Sequence, residues 1–232
     1  MNRLNIIELL AKVDYRLSPQ AFSRANYQVE IILNKLKSIH KKKFKTLLDV
    51  GGGYDGRYRK GLESLAEKYQ NLELKKGIKV DLVGSVYKLS KKINKYDLIT
   101  MFMVLEHLNE PLLALKECNK ALKRHGYLAL TTVQYWHTHS YPSDYYRYTR
   151  FGLEYLCKRA GFRILTIWSH GGPFLVTFHS IELNLEGIPR AVFSILFYRI
   201  ADYLDWIFFK HKDERRNFDS VGWSVVAVKN EK

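Results

Sequence analysis

Thr46-Leu47-Leu48-Asp49-Val50-Gly51-Gly52-Gly53 runs a short apolar strand straight into three glycines. A strand that is apolar on both faces belongs to the buried middle of a parallel sheet. Glycines at its end can turn with positive φ, and they carry no Cβ to hold a ligand away from the backbone amides. In an open parallel sheet such a turn faces the crevice at the carboxyl ends of the strands, where ligands sit.

Outward from this strand, helical and extended patterns alternate. Phe22, Ala25, Val29, Ile32, Leu33 and Leu36 recur at three- and four-residue steps, which predicts a helix from Ala21 to Ile39 opened by Ser18-Pro19. After Thr46–Val50 the pattern predicts a helix from about Arg57 to Tyr69 and strands at Leu72–Leu74, Val80–Val83 and Tyr96–Met101. A helix from Pro111 to Arg124 and a strand at Tyr127–Val133 follow. Thr149 to Ala160 reads as a helix capped by Thr149 and stopped by Gly161, and Phe162–Trp168 and Trp223–Val228 read as two late strands. Short apolar strands alternating with helices predict an α/β chain, a doubly wound and mostly parallel sheet with helices on both faces. No linker-like composition divides the chain. The expectation is a single domain, with 1–45 as an N-terminal helical cap, 46–172 as the core, 173–219 as a helical insert and 220–232 as the last strand and tail.

The insert carries Phe193, Leu196, Phe197, Ile200, Leu204, Ile207 and Phe208 on one stripe and Arg199, Asp202 and Asp205 on another. Those charges argue against a membrane span and for an amphipathic helix. Its apolar stripe is expected to pack on the protein itself or a second copy, with 188–210 also offering a surface for peripheral membrane contact.

The 232 residues are 47% hydrophobic, enough to bury a full core. Cys118 and Cys157 both fall in segments of helical spacing and read as reduced thiols. Arg3, Glu8 and Lys12 interrupt the apolar residues of the N-terminus, so no secretory signal is expected there, and the chain is expected in the cytoplasm, with a peripheral membrane association open. A formal charge of +15, densest at His40-Lys41-Lys42-Lys43-Phe44-Lys45, favours an anionic partner.

Gly51-x-Gly53-x-x-Gly56 has the spacing of a dinucleotide-binding turn, and Glu73 follows 22 residues after Gly51 at the end of a predicted strand. An acid there accepts hydrogen bonds from ribose hydroxyls in nicotinamide and adenosylmethionine enzymes alike, and glycine turns also occur without ligands. The turn alone does not separate these readings.

The residues after it resemble the class I S-adenosylmethionine-dependent methyltransferases, more narrowly the methyltransferase type 11 group often linked to bacterial and archaeal surface-glycan biosynthesis. Leu47–Gly53 resembles that family's first motif, and Leu72-Glu73-Leu74 with Gly77-x-x-Val80-Asp81-Leu82-Val83-Gly84 its second-strand acid and third strand. Tyr96-Asp97-Leu98-Ile99 through Val104-Leu105-Glu106-His107-Leu108 is similar to its fourth strand and Leu-Glu-His turn. Leu122 to Leu128 resembles its approach to the fifth strand, and Pro142-Ser143-Asp144-Tyr145-Tyr146-Arg147-Tyr148-Thr149 its Asp-Tyr-Tyr-Arg-x-Thr segment. The likeness implies a Rossmann-like, seven-stranded sheet with an antiparallel last strand, and S-adenosyl-L-methionine as methyl donor. By the same likeness Gly51, Gly52 and Gly53 line the methionine end of the donor, with Asp49 below them, Glu73 holds the ribose, Ser85 and Val86 lie beside the adenine, and Met103 follows the fourth strand at the same edge. Ser85 stands where the family usually has an aspartate.

The acceptor is expected to be a hydroxyl of a glycan or a small anionic molecule. Removing its proton calls for a base at the crevice, and His107, His137, His139 and Asp144 are the candidates. His107 has a structural alternative, orienting a loop through its ring nitrogens, and Asp144 can instead pair with Arg147 to fold the loop over the site. His137-x-His139 with Asp144 is too common a spacing to predict a metal. Tyr135, Trp136, Tyr141, Tyr145, Tyr146 and Tyr148 make this loop dense in aromatic faces suited to sugar rings or to packing. RNA is a further anionic acceptor in view, and a nicotinamide oxidoreductase or a non-catalytic protein on the same fold are the readings of other classes.

Overall fold

The computed structural model of the chain describes residues 25–92, 95–209 and 219–230. Helix α1 (Ala25–Ile39) precedes β1 (Phe44–Val50), α2 (Arg59–Glu63), β2 (Ala66–Glu73), β3 (Leu82–Val83) and β4 (Tyr96–Phe102). Then come α3 (Pro111–Ala121), β5 (Leu122–Val133), α4 (Arg150–Arg159), β6 (Phe162–Ser169), α5 (Pro173–Glu182), α6 (Gly187–Phe209) and β7 (Gly222–Lys229). The strands form one seven-stranded sheet in the order β3-β2-β1-β4-β5-β7-β6. β1 pairs in parallel with β2 and β4, whereas β7 runs antiparallel to both β5 and β6. The α/β class, the strand number and the antiparallel last strand are those expected from sequence.

Alternation along the central strands fills both faces. Leu48, Val50, Ile99, Met101, Leu128 and Leu130 share one core with Ala114, Leu115 and Cys118 of α3 and Leu153 and Cys157 of α4. Leu47, Leu98, Phe102, Ala129 and Val226 share the opposite core with Val29, Ile32 and Leu36 of α1. Successive residues of one strand point to opposite faces, so neighbours such as Leu47 and Leu48 serve different layers. Both cysteine thiols are buried and free. The Ser18-Pro19 start expected for α1 lies outside the described residues.

Three expectations are corrected. The helix drawn from Arg57 to Tyr69 is two elements, because Leu62, Leu65, Ala66 and Tyr69 mimic a helical stripe across a break. From Ala66 onward the chain is strand β2, registered on β1 from Phe44↔Ala66 to Val50↔Leu72. The backbone groups along that side of β1 need a ladder partner, and this outweighs the local helical spacing. The helix drawn to Arg124 ends at Ala121, where Leu122 pairs with Tyr96 and opens β5.

The third correction concerns α6. Among its described side chains, the buried ones are Ser194, Tyr198, Ala201 and Asp205, at steps of four, three and four. Leu196, Ile200, Tyr203, Trp206, Ile207 and Phe208 face outward. The face turned to the domain thus carries Tyr198 with small and polar residues, Asp205 capping α5 from it, while Phe193 and Phe197 of the expected stripe pack against Phe178 of α5. The Asp205 carboxylate accepts hydrogen bonds from the backbone amides of Gly172, Phe174 and Leu175 at 2.9, 2.9 and 3.2 Å. Those are unsatisfied donors at a helix start, where a carboxylate also meets the positive end of the helix dipole. Among the described residues, no helix is long and apolar enough to cross a membrane.

Candidate active site

The strand order reverses between β1 and β4, so the turns after these two strands face each other across the crevice. Gly51 and Gly53 take φ of 70° and 85°, which a side chain would strain. A Cβ on Gly52 would collide with the Asp49 carboxylate and come within 2.9 Å of Asn71 Oδ1. Asp49 is wholly buried under this turn and accepts hydrogen bonds from Thr100 Oγ1 at 2.6 Å and Tyr69 Oη at 3.0 Å. Burial lifts its carboxyl from 3.8 to about 6, against the pull of those two hydrogen bonds. Asp49 therefore supports the turn from beneath instead of lining the cavity.

β2 supplies the next supports. Asn71 Nδ2 donates to the Gly53 carbonyl at 2.8 Å, and the Gly53 amide donates to Glu73 Oε1 at 2.8 Å. The Gly84 amide donates to the Glu73 carbonyl at 2.9 Å, which brings Ser85 alongside. Ser85 Oγ accepts from the Tyr87 amide at 3.2 Å, and Val86 is buried at the start of a 3₁₀ turn. Met103, after β4, holds a left-handed φ of 55°, its amide donating to the carbonyl and hydroxyl of Thr131 at 3.0 and 3.1 Å. A methionine in this region is strained, and such strain collects at functional sites.

A cavity of about 380 Å³ opens between the two turns. It is lined by Gly51, Gly52, Gly53, Asp55, Arg57 and Tyr58 after β1, by Phe102, Met103 and His107 at and after the end of β4, by Thr131, Trp136 and His139 at and after the end of β5, and by Gln28 and His170. Glu73, Ser85 and Val86 stand outside this lining, along the ends of the outer strands.

Of the four candidate bases, the structure brings His107 and His139 together, with ring centroids 4.8 Å apart. His107 Nδ1 lies 2.7 Å from the Ser143 carbonyl and His139 Nδ1 lies 3.1 Å from the His137 carbonyl. A carbonyl only accepts, so Nδ1 is the protonated nitrogen in each neutral ring and Nε2 keeps a lone pair. Burial, foremost, lowers the His139 pKa, which favours the neutral ring. His137 takes a different place, exposed and stacked on Trp136 at 5.4 Å, away from the cavity lining.

Asp144 is committed to holding the loop, and the ion-pair alternative is the one observed. It receives Arg147 Nη1 at 2.7 Å, Arg147 Nη2 at 2.8 Å and the His139 amide at 2.8 Å. The Arg147 hydrogen bond, foremost, holds its carboxyl well below the usual range, a poor setting for a base. The aromatics divide likewise. Trp136 lines the cavity, Tyr148 is buried with its hydroxyl donating to the Leu105 carbonyl at 3.1 Å, and Tyr135, Tyr141, Tyr145 and Tyr146 are exposed.

Sequence reasoning passed over Glu106, a fully buried acid inside the Leu-Glu-His turn. Thr132 Oγ1 donates to its Oε2 at 2.9 Å, its Oε1 has no hydrogen-bond partner among the described residues, and burial raises its pKa. Its carbonyl accepts from the Tyr145 and Tyr146 amides at 2.9 and 3.2 Å, tying the turn to the loop. An acid between Leu105 and His107 in the short turn just after a central strand was the available signal. The cavity-lining Arg57 and His170 were also passed over. His170 Nε2 lies 2.6 Å from Ser224 Oγ, and burial lowers its pKa to about 3.

The methyltransferase-domain family matches this chain over residues 23–167. The chain belongs to the class I S-adenosylmethionine-dependent methyltransferases. No curated protein matches its sequence significantly. Solved structures share the fold of this methyltransferase at low identity. A 1,6-didemethyltoxoflavin-N1-methyltransferase of Burkholderia thailandensis, solved with 1,6-didemethyltoxoflavin and S-adenosylhomocysteine, has a TM-score of 0.54 and 13% identity over 86% of this chain and 76% of that one. A SAM-dependent methyltransferase of Archaeoglobus fulgidus has a TM-score of 0.53 and 14% identity, over 86% and 94% of the two chains. The cyclase SpnF has a TM-score of 0.55 and 17% identity, over 87% and 80%. Methyltransferase folds thus carry more than one chemistry, and the acceptor must be argued from the site.

Proposed function

We infer that this methyltransferase binds S-adenosylmethionine over the Gly51–Gly53 turn and moves the methyl group to a hydroxyl of a small anionic acceptor of glycan type. The observation that carries this reading is one cavity lined by both the glycine turn and the His107–His139 pair. The turn fits the donor, because side chains are excluded there by Asp49 below and by the Val104 side chain, which a Cβ on Gly51 would meet. Glu73, fixed beside Gly53, is the residue for the ribose hydroxyls, and Ser85 and Val86 flank the adenine. Bound there, S-adenosylmethionine supplies a methyl carbon on a positively charged sulfur. The chain's own part is to hold the acceptor oxygen in line with it.

On the acceptor side, Trp136 offers a flat face for a ring, and His107 and His139, their Nδ1 atoms engaged by carbonyls, each keep an Nε2 lone pair for the proton a hydroxyl must lose. Arg57 in the same lining and a net charge of +15 favour an anion. That a protein of the same fold was solved with a small molecule beside S-adenosylhomocysteine agrees with a small acceptor.

Tritium transfer from labelled S-adenosylmethionine to a panel of nucleotide sugars, oligosaccharides and RNA tests the reading. Label in a methyl ether formed on a sugar hydroxyl is the expected result. Label confined to RNA, with affinity falling steeply as salt is added, replaces this acceptor by nucleic acid. Calorimetry showing tight binding of NAD and none of S-adenosylmethionine removes the donor assignment.

A further inference from the structure

We propose that Glu106, His107 and His139 form a divalent metal site at the acceptor side of the cavity. A carboxylate oxygen of Glu106 and one nitrogen of each imidazole all lie within 4.8 Å of one another. At bonds of about 2.1 Å, three ligand atoms on one side of an ion stand about 3.0–3.4 Å apart, so side-chain rotations that bring the most distant of these atoms closer by roughly 1.5 Å close the set around one ion.

Three further features suit an ion. Glu106 is fully buried, and its Oε1 is left without a hydrogen-bond partner among the described residues. A buried carboxylate oxygen with no partner is costly, and a cation is the strongest partner it can take. Both imidazoles are oriented from outside, His107 by the Ser143 carbonyl and His139 by the His137 carbonyl, with Asp144 Oδ2 3.5 Å from His139 Nδ1. Metal-bound histidines are characteristically held in this way, the outer nitrogen on a carbonyl or carboxylate and the inner one on the ion. Arg147, whose charge acts on Glu106, is held in an ion pair by its two bonds to Asp144.

Two imidazoles and one carboxylate on one side of an ion match zinc, cobalt, iron or manganese and leave coordination positions open toward the cavity. His107 and His139 line that cavity, so an oxygen of the acceptor is the matching further ligand. The site stands on side-chain geometry. Its service to the acceptor rests on the proposed hydroxyl substrate, whose acidity a bound cation raises, and in that case the imidazoles act through the ion instead of taking the proton themselves.

Cobalt(II) titrated into chelator-treated full-length protein reports directly on the site through its visible absorption. One ion per chain, displaced by zinc, is expected, with affinity falling at least about tenfold in His139→Ala and in Glu106→Gln. His137→Ala, in the same loop but outside the trio, should bind as the wild type does, and circular dichroism of each variant separates lost ligands from lost fold. If the Glu106 variant does not fold, His107→Gln takes its place. No binding below millimolar cobalt, or binding that survives loss of His139 with the fold intact, overturns the site. Cobalt bound as expected in a protein that methylates no hydroxyl would count against the proposed acceptor and leave the metal site standing.

Discussion

Arg147 grips Asp144 through both terminal guanidinium nitrogens, at 2.7 and 2.8 Å, and with its Nε and Nη2 holds the carbonyls of Trp136 and His137 at 3.1 and 2.9 Å. One side chain therefore closes the loop that carries Trp136 and His139 into the cavity. The planar fork makes these bonds together, which an ammonium cannot reproduce. Arg147→Lys should leave donor affinity within about twofold while turnover falls about 10–100-fold, the loss expected when a reacting geometry is misplaced. Limited proteolysis should cut the 134–148 loop faster in the variant. An unchanged cleavage rate would show that the loop does not depend on this pair.

Asp49 makes stability depend on pH in an uncommon direction. Its carboxyl stands at about 6 in the folded protein, against 3.8 for an aspartate in an unfolded chain. Below about pH 4 it is protonated in both states. Between about 4 and 6 the folded chain keeps a proton that the unfolded chain has released, so stability falls as pH rises through this window and levels off above it. Two pKa units correspond to about 3 kcal/mol. Asp49→Asn should remove this fall, since the amide oxygen still accepts from Thr100 and its nitrogen can donate to Tyr69. Urea midpoints taken from pH 4 to 6.5 give the difference between the proteins, and parallel curves would refute the assignment.

Gly52 is closed to any side chain by the Asp49 carboxylate beneath it. Overpacking of this kind costs about 1–3 kcal/mol, which corresponds to roughly 5–150-fold in affinity if the turn shifts under the donor. Gly52→Ala should weaken S-adenosylmethionine binding in calorimetry by that range. Gly84→Ala is the control, because its Cβ would meet only Leu72 Cδ1 at an ordinary 3.6 Å. Equal donor affinity in both variants would mean that the turn does not hold the donor.

What was legible in the sequence was what a single segment decides. A strand ending in three glycines needs no distant partner to be read, and Thr149 caps α4 through a bond to the amide only three residues on, at 3.2 Å. Tyr69 was misread because its role, a hydrogen bond to Asp49 across paired strands, appears only once β1 and β2 are registered. Glu106 was passed over for a similar reason. Its neighbour in the chain, His107, was in view, but His139 reaches it from the turn region after another strand. The side of α6 that faces the domain is also set at a distance, by Asp205 meeting the start of α5.

The insert makes the sharpest contrast between a sequence stripe and its structural use. Leu196 is 54% and Ile200 46% exposed, so charged residues there remove little buried area, and the double change Leu196→Glu with Ile200→Glu should leave the melting temperature within about 2 °C. Asp205→Ala should be far worse, because three amides at the start of α5 lose a charged acceptor, at about 3–5 kcal/mol for the set. The loss should be local at first. His179, Glu182 and Tyr198 join α5 to α6 through a buried network, with Tyr198 Oη donating to Glu182 at 2.7 Å, and the His179 ring lies 4.6 Å from Trp136 in the cavity wall. Hydrogen exchange in Asp205→Ala should therefore rise across α5 and α6, then in the Trp136 loop, before it rises in β1 and β4. Uniform exchange across the sheet and the insert would instead make the insert part of a single cooperative unit.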